Sequence, residues 1–132
     1  MNRDISLNKS AIIRRCLKRI ADEFQDDPRR LADFTIQDAI ILNLLRACEA
    51  AIDLAMHHVA EHRLGVPQTS RDAFTLLEDA KRISPAIAHS MRNMVGFRNI
   101  AVHSYQYLQL SILESILSNH LADFETFISE IV

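Results

Sequence analysis

The stretch "AIILNLLRACEAAIDLAM", residues 39–56, is apolar around most of its circumference when wound as a helix. Such a segment cannot lie on a surface. It must be covered on more than one side, and that requirement constrains the fold more than any other feature of the chain. The pattern predicts one helix over residues 35–64, capped by Thr35, which at 1.5 Å per residue is on the order of 40 Å long and crosses the whole domain. One neighbouring helix cannot cover it, so self-association is expected. Polar Asn43, Arg46, Glu49 and Asp53 interrupt its surface, either as exposed positions or as partners for charges across an interface.

The remaining periodicity is also helical. A first helix is predicted over residues 7–24, with Ile13, Leu17, Ile20 and Phe24 on one buried stripe, and "DDPRR" ends it. Its cations Lys9, Arg14, Arg15, Lys18 and Arg19 read first as a solvated face and second as phosphate contacts. "GVPQTS" is a turn, after which Ser70 caps a short helix carrying Ala73, Phe74, Leu77 and Ala80 inward. "SPA" then offers Ser84 as a cap and Pro85 at the first helical position of a fourth helix. A last helix is predicted over residues 108–131, repeating Leu110, Leu113, Leu117, Leu121, Phe124, Ile128 and Ile131. With 132 residues, two glycines and three prolines, the expectation is a single all-α domain over residues 1–132, an up-and-down bundle of about five helices.

Cys16 and Cys48 form no CxxC pair, and buried thiols of a cytoplasmic protein are the reading. "MNRDISLNKS" has no apolar signal-peptide core, and no run approaches the roughly 20 residues of a spanning helix, so neither export nor a membrane is expected. A net charge of −2 argues against indiscriminate nucleic-acid binding. The charge is nonetheless uneven: Lys81, Arg82, Arg92 and Arg98 stand without a carboxylate between residues 80 and 103, whereas residues 104–132 carry Glu114, Asp123, Glu125 and Glu130 without lysine or arginine. Lys81, Arg82 and Arg92 are therefore weak candidates for RNA contact.

The fourth helix ends in "RNIAVHSY", residues 98–105. At 100° per residue, Ile87, Ala88, Met91, Met94, Val95, Ala101 and Val102 fall within about 80° of Arg98, which puts the arginine on the apolar face. There it needs a partner, such as Glu49 or Asp53, or a cleft. His89, Arg92, Gly96, Asn99 and His103 form a polar stripe on the other side, where the glycine leaves room for a backbone or a ligand. Arg98 and His103 point about 140° apart on an unbroken helix. Either the helix ends or distorts near Val102, letting His103 turn back, or a second copy of the chain completes a site.

Arginine, histidine and tyrosine in this order resemble the R-x4-6-H motif of the HEPN superfamily, and more closely the R-x4-H-x-Y pattern of HepT-like toxins. "QDAIILNLLRACEAAIDLAMHHV", "LGVPQTSRDAFTLL" and "MVGFRNIAVHSYQ" extend that resemblance along nearly the whole chain. It implies an all-helical HEPN homodimer, a metal-independent ribonuclease without cofactor, and a toxin paired with a nucleotidyltransferase antitoxin of the MntA type. It also implies Arg98 holding the phosphate, His103 as acid or base and Asn99 in support. Tyr105 is the implied site of neutralising modification with AMP, with Tyr107 as a second hydroxyl nearby.

Two other readings stand beside this one. "HHVAEH" places His58 and His62 four residues apart with His57 and Glu61 nearby, a spacing open to metal ligation but without a second cluster, so no metal is expected. A non-catalytic HEPN module that binds nucleotide or the nucleotidyltransferase is the other alternative.

Overall fold

The computed structural model describes residues 2–132, and among these every regular element is helical. Helix α1 (Asn2–Phe24) is joined by a 3₁₀ turn at Pro28–Ala32 to α2 (Phe34–Glu61). Then follow α3 (Ser70–Asp79), α4 (Pro85–His103), a 3₁₀ turn at Tyr105–Tyr107, α5 (Leu110–Asn119) and α6 (Leu121–Ile131). No helix is long and apolar enough to cross a membrane among the described residues.

Cross-helix contacts give the register. Lys9 reaches Asp53 at 3.0 Å, so α1 and α2 run antiparallel. The Cys48 thiol lies 3.8 Å from the Met94 carbonyl, and ten residues back along α2 Asp38 meets Tyr105, just past the end of α4, at 3.1 Å, so α4 runs antiparallel to α2. Arg92 pairs with Glu78 at 2.8 Å, which makes α3 and α4 a helical hairpin. Ser84 N–H donates to Glu130 at 2.9 Å and Ser90 Oγ to Asp123 at 2.5 Å, setting α6 antiparallel to α4. Helices α1, α2, α4 and α6 therefore alternate in direction as the up-and-down expectation has it, and short α3, antiparallel to α4, runs the same way as α2 beside it.

Helix α2 is the centre of the bundle, buried at Ile40, Leu44, Ala47, Leu54 and Ala55 among others. Helix α1 covers it most extensively, and α3, α4 and α6 contribute the rest. The need for several neighbours is met within one chain, so the apolar girth of α2 does not by itself require a second copy. Asn43 is buried, its amide donating to the Ala39 carbonyl at 2.9 Å, whereas Arg46, Glu49 and Asp53 lie exposed with Leu42 on a narrow stripe.

Several boundaries differ from the sequence expectation, each for a local reason. Asp33, not Thr35, caps α2, its carboxylate accepting from the N–H groups of Thr35 and Ile36. Thr69, not Ser70, caps α3, its hydroxyl accepting from the Asp72 N–H at 3.2 Å. Ser84 and Pro85 open α4 as predicted. Helix α1 starts before residue 7, and α2 stops at Glu61, before Arg63 turns left-handed at φ 54°.

The predicted last helix is two helices. His120 (φ −127°, ψ −2°) leaves helical geometry and its ring contacts Asp123 at 3.0 Å. The same Asp123 oxygen accepts the hydroxyl of buried Ser90 on α4. Serine, histidine and aspartate meet here, but hydroxyl and imidazole both approach one carboxylate oxygen, which is not the relay of a nucleophilic triad. It is a clamp holding the bend.

Candidate active site

Helix α4 runs unbroken through His103, with Ser104 as its C-cap. The helix ends just past Val102 but without distortion and only after His103, which does not turn back, so Arg98 and His103 diverge by about 140° within one chain. Arg98 is mostly buried, with its side chain 18% exposed. Its Nε lies 3.1 Å from Glu49 Oε1, too oblique for a hydrogen bond, while Nη2 donates to Ser70 Oγ at 3.1 Å. Of the two acidic partners considered from sequence, Glu49 is the one engaged; Asp53 pairs with Lys9 instead. Because Thr69 takes the capping role, the Ser70 hydroxyl is free to orient the guanidinium.

His103 is exposed at the C-terminal end of α4. No side-chain hydrogen bond engages it or Asn99 among the described residues. Val102, expected on the apolar face, is 53% exposed; it sits at the rim of the bundle in the last turn, where no neighbouring helix covers it.

Tyr105 stands on the 3₁₀ turn held by Tyr107 N–H to the Ser104 carbonyl and Leu108 N–H to the Tyr105 carbonyl. Its hydroxyl donates to Asp38 Oδ1 on α2 at 3.1 Å. Partial burial and this carboxylate both raise the phenol above its ordinary pKa, because each disfavours phenolate. Arg98 opposite Glu49 and Tyr105 opposite Asp38 place the end of α4 along the exposed stripe of α2, antiparallel to it.

The secondary basic candidates are not gathered at this end. Arg92 is held by Glu78 at 2.8 Å and by the Thr75 hydroxyl at 3.4 Å. Lys81 (φ 59°) forms the left-handed turn that closes α3, and it and Arg82 lie beyond the other end of α4, about 20 Å from Arg98 at helical rise. The α1 cations are largely in surface pairs, Lys9 with Asp53, Arg14 with Glu125 and Lys18 with Asp22. His58 is buried against His62 with ring centroids 4.3 Å apart, and burial, then His62 and Arg82, lower its pKa. No cluster of three metal-ligating side chains occurs among the described residues.

Gly96 does leave room, but for a residue of this chain. A Cβ there would come within 2.6 Å of Arg71 Nη2, whose guanidinium crosses the glycine and donates from Nε to the Arg92 carbonyl at 3.3 Å. The crossing lies at one side of a groove of about 470 Å³ between α4 and α5, walled by Phe97, Ile100, Leu108 and Ile112. Arg71 and Asp38 carry no periodicity or motif signal, and only the fold brings them to the motif.

Over residues 11–131 the chain matches the ribonuclease HepT-like family. It belongs to that family. It is 49% identical over 97% of its length to a protein named mRNA nuclease HepT from Shewanella oneidensis, covering 96% of that relative. Among solved structures it resembles a tri-AMPylated Shewanella oneidensis HEPN toxin in complex with MNT antitoxin, at TM-score 0.92 and 49% identity, over 97% of this chain and 96% of that one. It also resembles a toxin–antitoxin crystal structure with AMP-PNP, at TM-score 0.92 and 48% identity, over 98% of each chain. The all-helical HEPN fold of this HepT-like chain follows at these identities, along nearly its full length.

Proposed function

We propose that this HepT-like chain is a cytoplasmic toxin that cleaves RNA without a metal, and that AMP attached to Tyr105 by an MNT-type nucleotidyltransferase antitoxin neutralises it. The observation that carries the reading is the geometry of Arg98: a guanidinium fixed from behind by Glu49 and Ser70, five residues before a His103 at the end of the same helix that no side-chain hydrogen bond engages among the described residues. The names of its relatives support the activity and the partner class.

In this reading the substrate 2′-hydroxyl attacks the adjacent phosphorus and the P–O5′ bond breaks, giving a 2′,3′-cyclic phosphate and a 5′-hydroxyl. His103 removes or supplies a proton, and Arg98 donates to the phosphate oxygens as charge builds in the transition state. Asn99 supports the motif. Because Arg98 and His103 diverge within one chain, a homodimer pairing two α4 ends supplies both groups to one phosphate, and the opposite proton transfer falls to the second His103 or to water. Phe34 at 76% exposed, Leu42 at 47% and Val102 at 53% offer apolar surface for that pairing.

One observation favours the non-catalytic alternative: Glu49 already offsets the charge of Arg98. Expression decides between them. Wild type alone should arrest growth and generate RNA ends of the stated chemistry, while folded Arg98→Ala and His103→Ala do neither. Equal toxicity of folded variants would remove the site from the mechanism. Harmless wild type that still binds the nucleotidyltransferase would establish the module.

A further inference from the structure

Tyr105 and Tyr107 offer two phenols on one 3₁₀ turn, and accessibility favours the wrong one. Tyr107 is 72% exposed against 47% for Tyr105, and no side-chain hydrogen bond engages it among the described residues. Successive residues of a 3₁₀ turn are about 120° apart, so the two rings leave the turn in different directions. What distinguishes Tyr105 is its partner. Its hydroxyl donates to Asp38 Oδ1 at 3.1 Å, and no lysine, arginine or histidine pairs with that carboxylate among the described residues. The carboxylate is therefore free to receive the proton pointed at it, and the short turn fixes the phenol against α2.

We propose that Asp38 is the general base that makes Tyr105, rather than Tyr107, the acceptor of a nucleotidyl group from a nucleoside triphosphate. This deepens the reading of Tyr105 as the modified residue and rests on it. The phenolic oxygen attacks the α-phosphorus, the new O–P bond forms as the bond to the β-phosphate breaks, and pyrophosphate leaves with the electron pair. The phenolic proton passes to Asp38 and then to water. A neutral phenol is a poor nucleophile, and a base in hydrogen-bond contact removes its proton as the bond forms. The ester oxygen then has no proton to donate, and a phosphodiester anion faces the Asp38 carboxylate. The hydrogen bond to α2 is lost and replaced by repulsion, which turns the attached nucleotide away from α2.

The test uses the full chain with its cognate nucleotidyltransferase, magnesium and ATP, with incorporation rates at Tyr105 and Tyr107 mapped by mass spectrometry. Asp38→Asn keeps an oxygen that accepts the hydrogen bond but is no base. It is expected to slow labelling of Tyr105 by about 100-fold, the lower end of general-base effects, chiefly in kcat. Asp38→Glu restores most of the rate, and Tyr107→Phe leaves it unchanged. Circular dichroism verifies the fold of each variant. If Asp38→Asn labels Tyr105 at the wild-type rate while Asp38→Ala does not, the carboxylate only orients the ring and the base assignment is wrong. Equal rates in all Asp38 variants overturn the proposal altogether. Wild type labelled elsewhere than Tyr105, or not at all, instead overturns the reading of Tyr105 on which it stands.

Discussion

Replacing Arg98 with lysine keeps the charge and removes the fork. A guanidinium has five N–H donors and an ammonium three. In the structure Nε turns to Glu49 and one Nη2 proton goes to Ser70, which leaves both Nη1 protons and the second Nη2 proton for a phosphate. A lysine seated in the same place, giving one proton to Ser70 and turning a second toward the Glu49 carboxylate as Nε does, has a single donor left. It would meet the transition state with one charge-assisted hydrogen bond where arginine makes two. Hydrogen bonds to charged groups are worth about 1.5–3 kcal/mol, so Arg98→Lys should lower the cleavage rate roughly tenfold to 150-fold. Arg98→Ala should fall further. Single-turnover cleavage of a fluorophore-quencher RNA by purified, singly substituted protein measures the chemical step directly, with thermal melts as the control for folding. Arg98→Lys within threefold of wild type would refute the bidentate role, since a point charge would then suffice.

Three further outcomes are expected. Gly96→Ala gains about 1 kcal/mol of helix propensity and displaces the flexible end of Arg71, giving up its 3.3 Å bond to the Arg92 carbonyl, so urea melts should show a net change within about 1 kcal/mol. Because the folded state lowers the pKa of His58, the unfolded chain binds its proton more readily. His58 then contributes stability above the ordinary value near 6.5 that is lost as pH falls through the window down to its lowered folded pKa, and melts at pH 7.5 and 5.5 should differ more for wild type than for His58→Leu. Burial pushes the Cys48 thiol up to about 12, so an aromatic disulfide reagent at pH 8 should label it only at the rate at which the protein opens, and prompt labelling of folded protein would contradict that.

The features written locally in the chain are the ones that appear where expected. Ser84 and Pro85 open α4 because both act within one turn, and the stripes of Ile13, Ile20 and Phe24 or Phe124 and Ile128 face the core. Where two neighbouring residues are equally able to cap, the local pattern does not decide. Thr69 caps α3 while the Ser70 hydroxyl accepts from Arg98, 28 residues on, a partner no local pattern shows. The break at His120 is hidden by an apolar period that runs through it; what opens it is Asp123 reaching Ser90 on another helix. Likewise the motif names Arg98, His103 and Tyr105, but Asp38 is 67 residues from Tyr105 and carries no pattern of its own.

The bend at His120 also bears on how firmness is distributed through the molecule. It shortens α5 to ten residues whose contacts are chiefly with α6, and whose buried side chains are Leu113, Ile116 and Leu117. Helices α1 and α2, by contrast, share the longest and most continuous interface. Amide hydrogens should then exchange first along α5 and the turn before it, by local opening, and last in the middle of α2, by global unfolding. Tyr105 lies on the loose side of that divide and Arg98 is anchored to the firm side through Glu49. A group attached at Tyr105 can thus be accommodated by local opening, at little cost to the stability of the bundle that holds the arginine in place.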